Sequence, residues 1–334
     1  MEKKLSSIGG QALIEGVMMK SPTGMAMVVR KEDGTLVKKY DKYTPPSQKH
    51  KILGVPIIRG CVSFVESLKT GVDTMNFAME QMEFEEEEPS KLEKWISKTF
   101  KIKSEQMEKA LMTMIPVIAV FLSIGLFIAL PSFISSMINK IVPSSDLVSN
   151  IIEGVVKMAI FLGYMVIISL SKDIKRVYMY HGAEHKTIAC YEAGEELTVE
   201  NAKKQSRLHA RCGTNYLFLV MLISILFFSV LGFQGHWAVK IIVRVLCMPL
   251  VAGISYEVLK AAANSDSLLA RIARYPGMQL QRLTTKEPDD DMLEVAIASF
   301  NIALDPSEFL AEKQREEEKE KSEQAINSAL QPQQ

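Results

Sequence analysis

Two short stretches of this chain carry residue types that hold transition metals. The first is His181-Gly-Ala-Glu184-His185-Lys, and the second is Arg207-Leu-His209-Ala-Arg211-Cys212-Gly-Thr. Their ligand-capable groups fall into two pairs, His181/His185 and His209/Cys212. On a helix, a spacing of four or three puts both members of a pair on one face, a turn apart. Two such pairs on facing helices would close a tetrahedral site of three imidazole nitrogens and one thiolate, a donor set that matches zinc.

Glu184 follows His181 by three residues, which at about 100° per residue leaves it about 60° away around the helix and able to look into the same site. The order His-x-x-Glu-His is that of the inverzincin peptidases, where the glutamate is a general base. Glu192, seven residues after His185, shares its face and is a spare carboxylate for the ligands; Arg211 and Glu257 are further candidates to support them. Three readings compete. The polar residues bond to backbone and to one another, or all four ligands close a structural zinc site, or three ligands hold a catalytic metal with Glu184 as base.

Composition narrows the setting. The formal net charge of the 334 residues is +0, so no overall field draws the chain to nucleic acid, and no nucleic-acid partner is expected. Hydrophobic residues make up 48% and charged residues 23%, with a mean hydropathy of +0.09, a combination that calls for long apolar segments between very polar ones. Cys61, Cys190, Cys212 and Cys247 lack a disulfide-framework spacing and suit a reducing compartment. The opening Met1-Glu-Lys-Lys-Leu has no apolar run of the signal-peptide kind.

The elements that must position the cluster follow from periodicity. Residues 1–82 read as a small cytoplasmic α+β domain. Met25 to Lys31 and Thr35 to Tyr40 flank Asp33-Gly34, a hairpin signal. Before it, Gly9, Gly10, Gln11 and Glu15 put glycines around a carboxylate, which reads either as a strand ending in turns or as backbone approaching a ligand. From Ile57 to Met82 a helix is expected, with Ile58, Val62, Val65, Leu68, Val72 and Met75 as its apolar stripe, packed on the hairpin rather than lying on a membrane. Residues 83–110 are a charged linker and a juxtamembrane helix.

Four apolar stretches follow, at approximately 112–138, 148–171, 215–233 and 237–259, each near the roughly 20 residues needed to cross a bilayer. They predict an α-helical membrane protein of two transmembrane hairpins, within 111–171 and 215–260. The cytoplasmic His/Cys loop is 172–214, C-terminal cytoplasmic helices fill 261–305, and 306–334 is a polar tail expected to be disordered. Lys91 to Lys109, the 172–211 loop and the segment after Lys260 are rich in Lys and Arg, whereas the turns near Lys140 and Gly235 are poor in them. The positive-inside rule therefore predicts a multi-pass cell-membrane protein with both termini and the His/Cys loop cytoplasmic.

Within the second loop, a helix from 172 should stop at Gly194, and Thr198 should cap a new helix running through His209 into the third span. Tyr275-Pro276-Gly277 reads as a turn, and Asp289 to Asp291 precede a helix from Met292 to Leu304. Glu153, Lys157, Lys240 and Arg244 are intramembrane charges, which either line a cavity or snorkel to headgroups.

Ile8-Gly-Gly-Gln-Ala-x-x-Glu15-Gly-Val-Met-Met, the two His/Cys stretches and Pro249-Leu-Val-Ala-Gly-Ile-Ser-Tyr256-Glu257 together resemble the YqhQ family over roughly residues 5–305. These are bacterial inner-membrane proteins with a domain of unknown function, loosely labelled a predicted metal-dependent enzyme. Ala210 stands where such sequences often have proline, which leaves His209 and Cys212 in place. The resulting expectation is a zinc-dependent hydrolase at the cytoplasmic membrane face, in which a water activated by metal on His181, His185 and His209, with Glu184 as base, attacks the substrate. Its rivals are a membrane-biogenesis scaffold with structural zinc and a transporter or lipid-handling protein. The bilayer is the expected partner, with a homo-oligomer or another membrane protein beside it.

Overall fold

The computed structural model describes residues 8–46, 50–82, 114, 117–231, 237–263, 265 and 267–330. The expected linker and juxtamembrane helix at 83–110 lie outside the described residues. The fold is mostly helical, with one four-stranded antiparallel sheet in the order β1-β2-β3-β4: β1 (Gly9–Leu13), β2 (Gly16–Lys20), β3 (Gly24–Arg30) and β4 (Leu36–Lys42). The expected hairpin is thus the second half of a meander. Gly34, at φ +86°, takes the left-handed turn between β3 and β4. Asp33 steadies that turn by accepting from the Thr35 N–H at 2.8 Å.

Both faces of the sheet are covered, which is why Val17, Met18 and Met19 read as a continuous apolar run rather than an alternation. Val17, Met19, Ala26 and Val28 face helix α4 (Lys172–Glu192) and helix α9 (Asp290–Leu304). Leu13, Met18, Met27 and Val29 face Ala78 near the end of helix α1 (Ile58–Glu80). The segments expected as separate N- and C-terminal units therefore share one core, with Leu293, Val295, Ala296 and Phe300 of α9 fully buried in it. The stripe of α1 faces the other way from its expected direction. Val65, Leu68 and Val72 are exposed, and the helix buries Gly60, Thr74 and Ala78 instead, because close approach to its neighbours favours small side chains.

Among the described residues, four helices are long and apolar enough to cross a membrane: α2 (Val117–Ile141), α3 (spanning Leu147–Ile168), α6 (Gly213–Leu231) and α7 (spanning Val239–Ala262). α2 and α3 pack as one hairpin, and α6 packs on both α3 and α7. Between the second span and α4 the helix breaks at Ser169 to Ser171. α4 then ends as expected at Gly194, whose φ is +73°. Glu153 and Arg244 do not snorkel. They form a buried pair, Arg244 Nη2 donating to Glu153 Oε2 at 2.7 Å, and the Ser132 hydroxyl donates to Glu153 Oε1 at 2.7 Å. Lys157 lines the small cavity beside that pair with Asn150, Ser224 and Phe228, and Lys240 is half-buried.

Three further expectations are corrected. Thr198 does cap a helix, accepting from the Asn201 N–H, but that helix, α5 (Val199–Lys204), is one turn and a half long. Residues 205–212 are non-helical up to α6. The backbone of His209 is held instead by Gln281, whose amide oxygen accepts from His209 N at 2.8 Å and whose amide nitrogen donates to His209 O at 2.8 Å. Tyr275-Pro276-Gly277 lies inside helix α8 (Leu268–Thr284). Gly277 is there for close packing, since a Cβ would sit 2.4 Å from Asn215 Oδ1. The polar tail is helix α10 (Ser307–Leu330). Glu312/Arg315, Glu316/Lys319 and Glu318/Lys321 recur at helical i,i+3 spacing, and Phe309 anchors its first turn to the core.

Candidate metal centre

Helix α4 is the spine of the site. Its residues from Tyr180 to Ile188 are almost all buried, because the sheet, α9 and the 205–212 segment surround it. Gly182 explains the second position of the His-Gly-x-Glu-His stretch. A Cβ there would lie 2.0 Å from the Lys286 carbonyl oxygen, so only glycine lets the chain after α8 cross α4 at this point. Lys286 N donates to Tyr178 O at 2.8 Å and fixes the crossing.

The crossing brings the Thr284 carbonyl to His181 Nδ1 at 2.9 Å. One turn on, His185 Nδ1 meets the Arg207 carbonyl at 2.6 Å. A carbonyl only accepts, so both Nδ1 atoms carry a proton, and a ring in its neutral form then keeps its lone pair on Nε2. His181 Nε2 lies 3.2 Å from Cys212 Sγ, where it accepts from the thiol. His185 Nε2 is buried with no hydrogen-bond partner among the described residues. The ligand atoms of His181, His185 and Cys212 all lie within 4.8 Å of one another, and the two imidazole rings are 4.4 Å apart. A neutral ring whose far N–H is pinned on a carbonyl is the usual dress of a metal-binding histidine. The donor set of two nitrogens and a sulfur therefore fits a zinc-like ion.

Electrostatics agree with the geometry. Burial, and then the neighbouring His181, hold His185 well below the ordinary imidazole value and keep it neutral. Cys212 is pushed up by burial, an effect opposed by Thr214, whose N–H at the start of α6 donates to Sγ at 3.4 Å. Glu184, 5% exposed, is pushed up to about 7 chiefly by burial, with His181 acting against the rise. Its carboxyl rests on β1, where a Cβ on Gly10 would be 2.8 Å from Glu184 Cδ. The glycine of the first motif thus makes a close approach, to a carboxylate of the protein itself.

The remaining candidates fall around this centre or away from it. His209 is next door, its ring 5.7 Å from that of His185, with Nε2 directed at Glu192 Oε2 at 3.3 Å. Arg211 pairs with the same Glu192. Glu15 lies farther along the sheet, bound by Arg176 at 2.5 Å and by the Tyr180 hydroxyl at 3.2 Å. Gly9 has open space around it, and the Gln11 side chain lies near Gly71 on α1. Glu257 is taken by Arg59 of α1, whose Nε donates to Oε1 at 2.6 Å.

Sequence reasoning missed Gln281, Lys186 and Asn215. Lys186 ties the 203–207 segment to α4 by donating to Lys203 O and Gln205 O, each at 2.9 Å. Gln281 also donates to Asn215 Oδ1 at 3.1 Å. The one available signal was a glutamine on a face of α8 that also carries Ala270, Gly277, Leu280 and Thr284, small or apolar residues for the most part.

The chain matches, over residues 55–306, the family model described as Protein of unknown function (DUF1385). It belongs to that family. It is also 34% identical over 301 residues to the uncharacterized protein YqhQ of Bacillus subtilis (strain 168), covering 89% of this chain and 92% of that one. No solved structure matches. The family region contains His181, Glu184, His185, His209, Cys212 and Gln281, while the strand that carries Gly10 precedes it.

Proposed function

We propose that this DUF1385 protein is a metal-dependent hydrolase of the cell membrane, with its site on the cytoplasmic face and zinc as the ion. The observation that carries the reading is the cluster itself: with both Nδ1 atoms on carbonyls, two Nε2 atoms and one sulfur are left close together, and His185 Nε2 is buried with no hydrogen-bond partner among the described residues. His181, His185 and Cys212 would hold the ion. Three protein ligands leave a fourth position for water or substrate, the pattern of catalytic rather than closed sites. When bound, the ion supplies Lewis-acid polarisation and lowers the pKa of water. The chain does the rest. Thr284 and Arg207 carbonyls orient the imidazoles, Glu184 accepts the proton of the attacking water, and the backbone of β1 at Gly10 packs against that carboxyl. Glu192 and Arg211 fix His209 beside the pocket.

A second reading is a scaffold with structural zinc. It is favoured by the depth of the ligands, His185 being 1% and Cys212 8% exposed. One experiment separates the two: metal content and complementation of a deletion strain, measured on wild type, His185→Ala, Glu184→Gln and Cys212→Ser. Wild type should hold about one zinc-like ion per chain and His185→Ala should lose it. For a hydrolase, Glu184→Gln keeps the metal and fails to complement, since a positioned base contributes roughly 10²–10⁴-fold in rate. If Glu184→Gln complements fully while Cys212→Ser loses metal and unfolds, the hydrolase reading is wrong and the scaffold stands.

A further inference from the structure

The outward face of α1 is too apolar for water. Ile52, Val55, Ile57 and Ile58 at its leading end are exposed, as are Val65, Leu68 and Val72 along it. A contiguous stripe of this kind marks a surface covered by something apolar. What covers it follows from where α1 sits.

Its first turns lie along α7, inside the stretch long enough to cross a membrane. A Cβ on Gly60 would be 2.8 Å from Gly253 Cα, a small-on-small approach of the kind that packs membrane helices. Cys61 Sγ donates to Pro249 O at 2.9 Å. Pro249 lies thirteen residues before Ala262, the end of that stretch nearest the His/Cys cluster. At about 1.5 Å per residue this is roughly 20 Å along a stretch that is itself longer than a hydrocarbon core about 30 Å thick, so the contact lies inside the span rather than at its end.

Charge follows depth. Between Ile52 and Val65 the one charged residue is Arg59, and Glu257 of α7 neutralises it. Glu66, Lys69 and Asp73 come only afterwards, where Glu66 meets Lys20 of the sheet at 3.9 Å. The tip also satisfies its own backbone, as a segment in lipid must. Leu53 N donates to His50 O at 3.0 Å, Arg59 N to Val55 O at 2.9 Å and Cys61 N to Ile57 O at 2.9 Å. Ile57 takes φ +70°, a conformation that a β-branched residue avoids unless its surroundings enforce it, where its carbonyl oxygen packs against Gly253 of α7.

We infer that α1 is a re-entrant membrane helix: its leading half enters the leaflet on the side of the His/Cys cluster, and the acyl chains of that leaflet cover Ile58, Val65 and Leu68. Its trailing end, at Ala78, emerges to hold the sheet. The inference rests on the four-span architecture and is independent of any hydrolase activity.

Single tryptophans at positions that already point outward test it in the full-length protein. Ile58→Trp, Leu68→Trp and Val72→Trp, with Val155→Trp on the second span as reference, are placed in phosphatidylcholine nanodiscs brominated at shallow or deep chain positions. The emission each adds to the parent protein is then measured. The tryptophan at 58 should lose most of its added emission to deep bromines, as the reference at 155 does, and those at 68 and 72 to progressively shallower ones. If 155 is quenched by lipid while 58 responds to aqueous acrylamide instead, α1 lies in water and the inference fails. If 58 responds to neither, another protein chain covers the stripe, and lipid is again the wrong occupant. If 155 itself is not quenched by lipid, the four-span architecture and this inference fall together, and the metal site is untouched.

Discussion

Replacing Gly10 by alanine should disturb Glu184 from across the sheet. The new Cβ would stand 2.8 Å from Glu184 Cγ and Cδ and 2.8 Å from the Met18 carbonyl oxygen. Carbons rest at about 3.5–4.0 Å, so the carboxyl must retreat by roughly 0.7–1.2 Å. Overpacking of this kind costs about 1–3 kcal/mol. Gly10 is not among the residues with positive φ, so alanine also gains about 0.4–1 kcal/mol from a less free unfolded chain. The clash outweighs that gain, and the net loss should be about 1–2 kcal/mol, or roughly 2–8 °C in melting temperature at about 2–4 °C per kcal/mol. The assay is thermal unfolding of the detergent-solubilised protein in a double-mutant cycle with Glu184→Ala, which removes the struck carboxyl and leaves the Met18 contact in both arms. Gly10→Ala should cost less in the Glu184→Ala background by about 1 kcal/mol. The reasoning is refuted if Gly10→Ala melts at or above wild type, or if its cost is equal in both backgrounds.

Two further outcomes follow from the same geometry. Arg59→Leu should destabilise the protein because it leaves Glu257 without its partner, whereas the double variant Arg59→Leu/Glu257→Leu should recover most of the loss; expression level and melting temperature of the two variants decide, and equal losses would count against the pair. Reporter fusions after Lys140 and after Gly235 should report the exterior of the cell, because the basic segments flank the opposite ends of the spans; a cytoplasmic signal at either position would overturn the orientation.

The parts of the fold legible in sequence were those whose physics is local. Span length, the Asp33-Gly34 turn, the Gly194 stop and the Thr198 cap are set by residues near them, and each lies where it was expected. His181 and His185 share a face because they share a helix. Cys212 reaches them by another route. It comes from a non-helical segment whose path is set by Gln281, Lys186 and the Thr285 contacts of Arg207, all distant in sequence. No period encodes such a path. The stripe of α1 shows a different limit: periodicity finds an apolar face, and only the neighbours decide whether that face turns inward or outward. Gly277 was read through its turn propensity, whereas the contact with Asn215 is what requires it.

The shared core also sets a timetable for biosynthesis. The sheet is complete once residue 42 has been made, yet α9, which covers Val17, Met19, Ala26 and Val28, ends at Leu304. At about 5–20 residues per second, that apolar face waits roughly 15–50 s on the ribosome while the four long apolar helices are made. Thr284 and Gln281 emerge only near the end of that interval, so the imidazole of His181 is unoriented until then. A chain stopped before its last helices would present an uncovered sheet and a loose pair of histidines. Such a product is a substrate for chaperones and proteases rather than a smaller working protein.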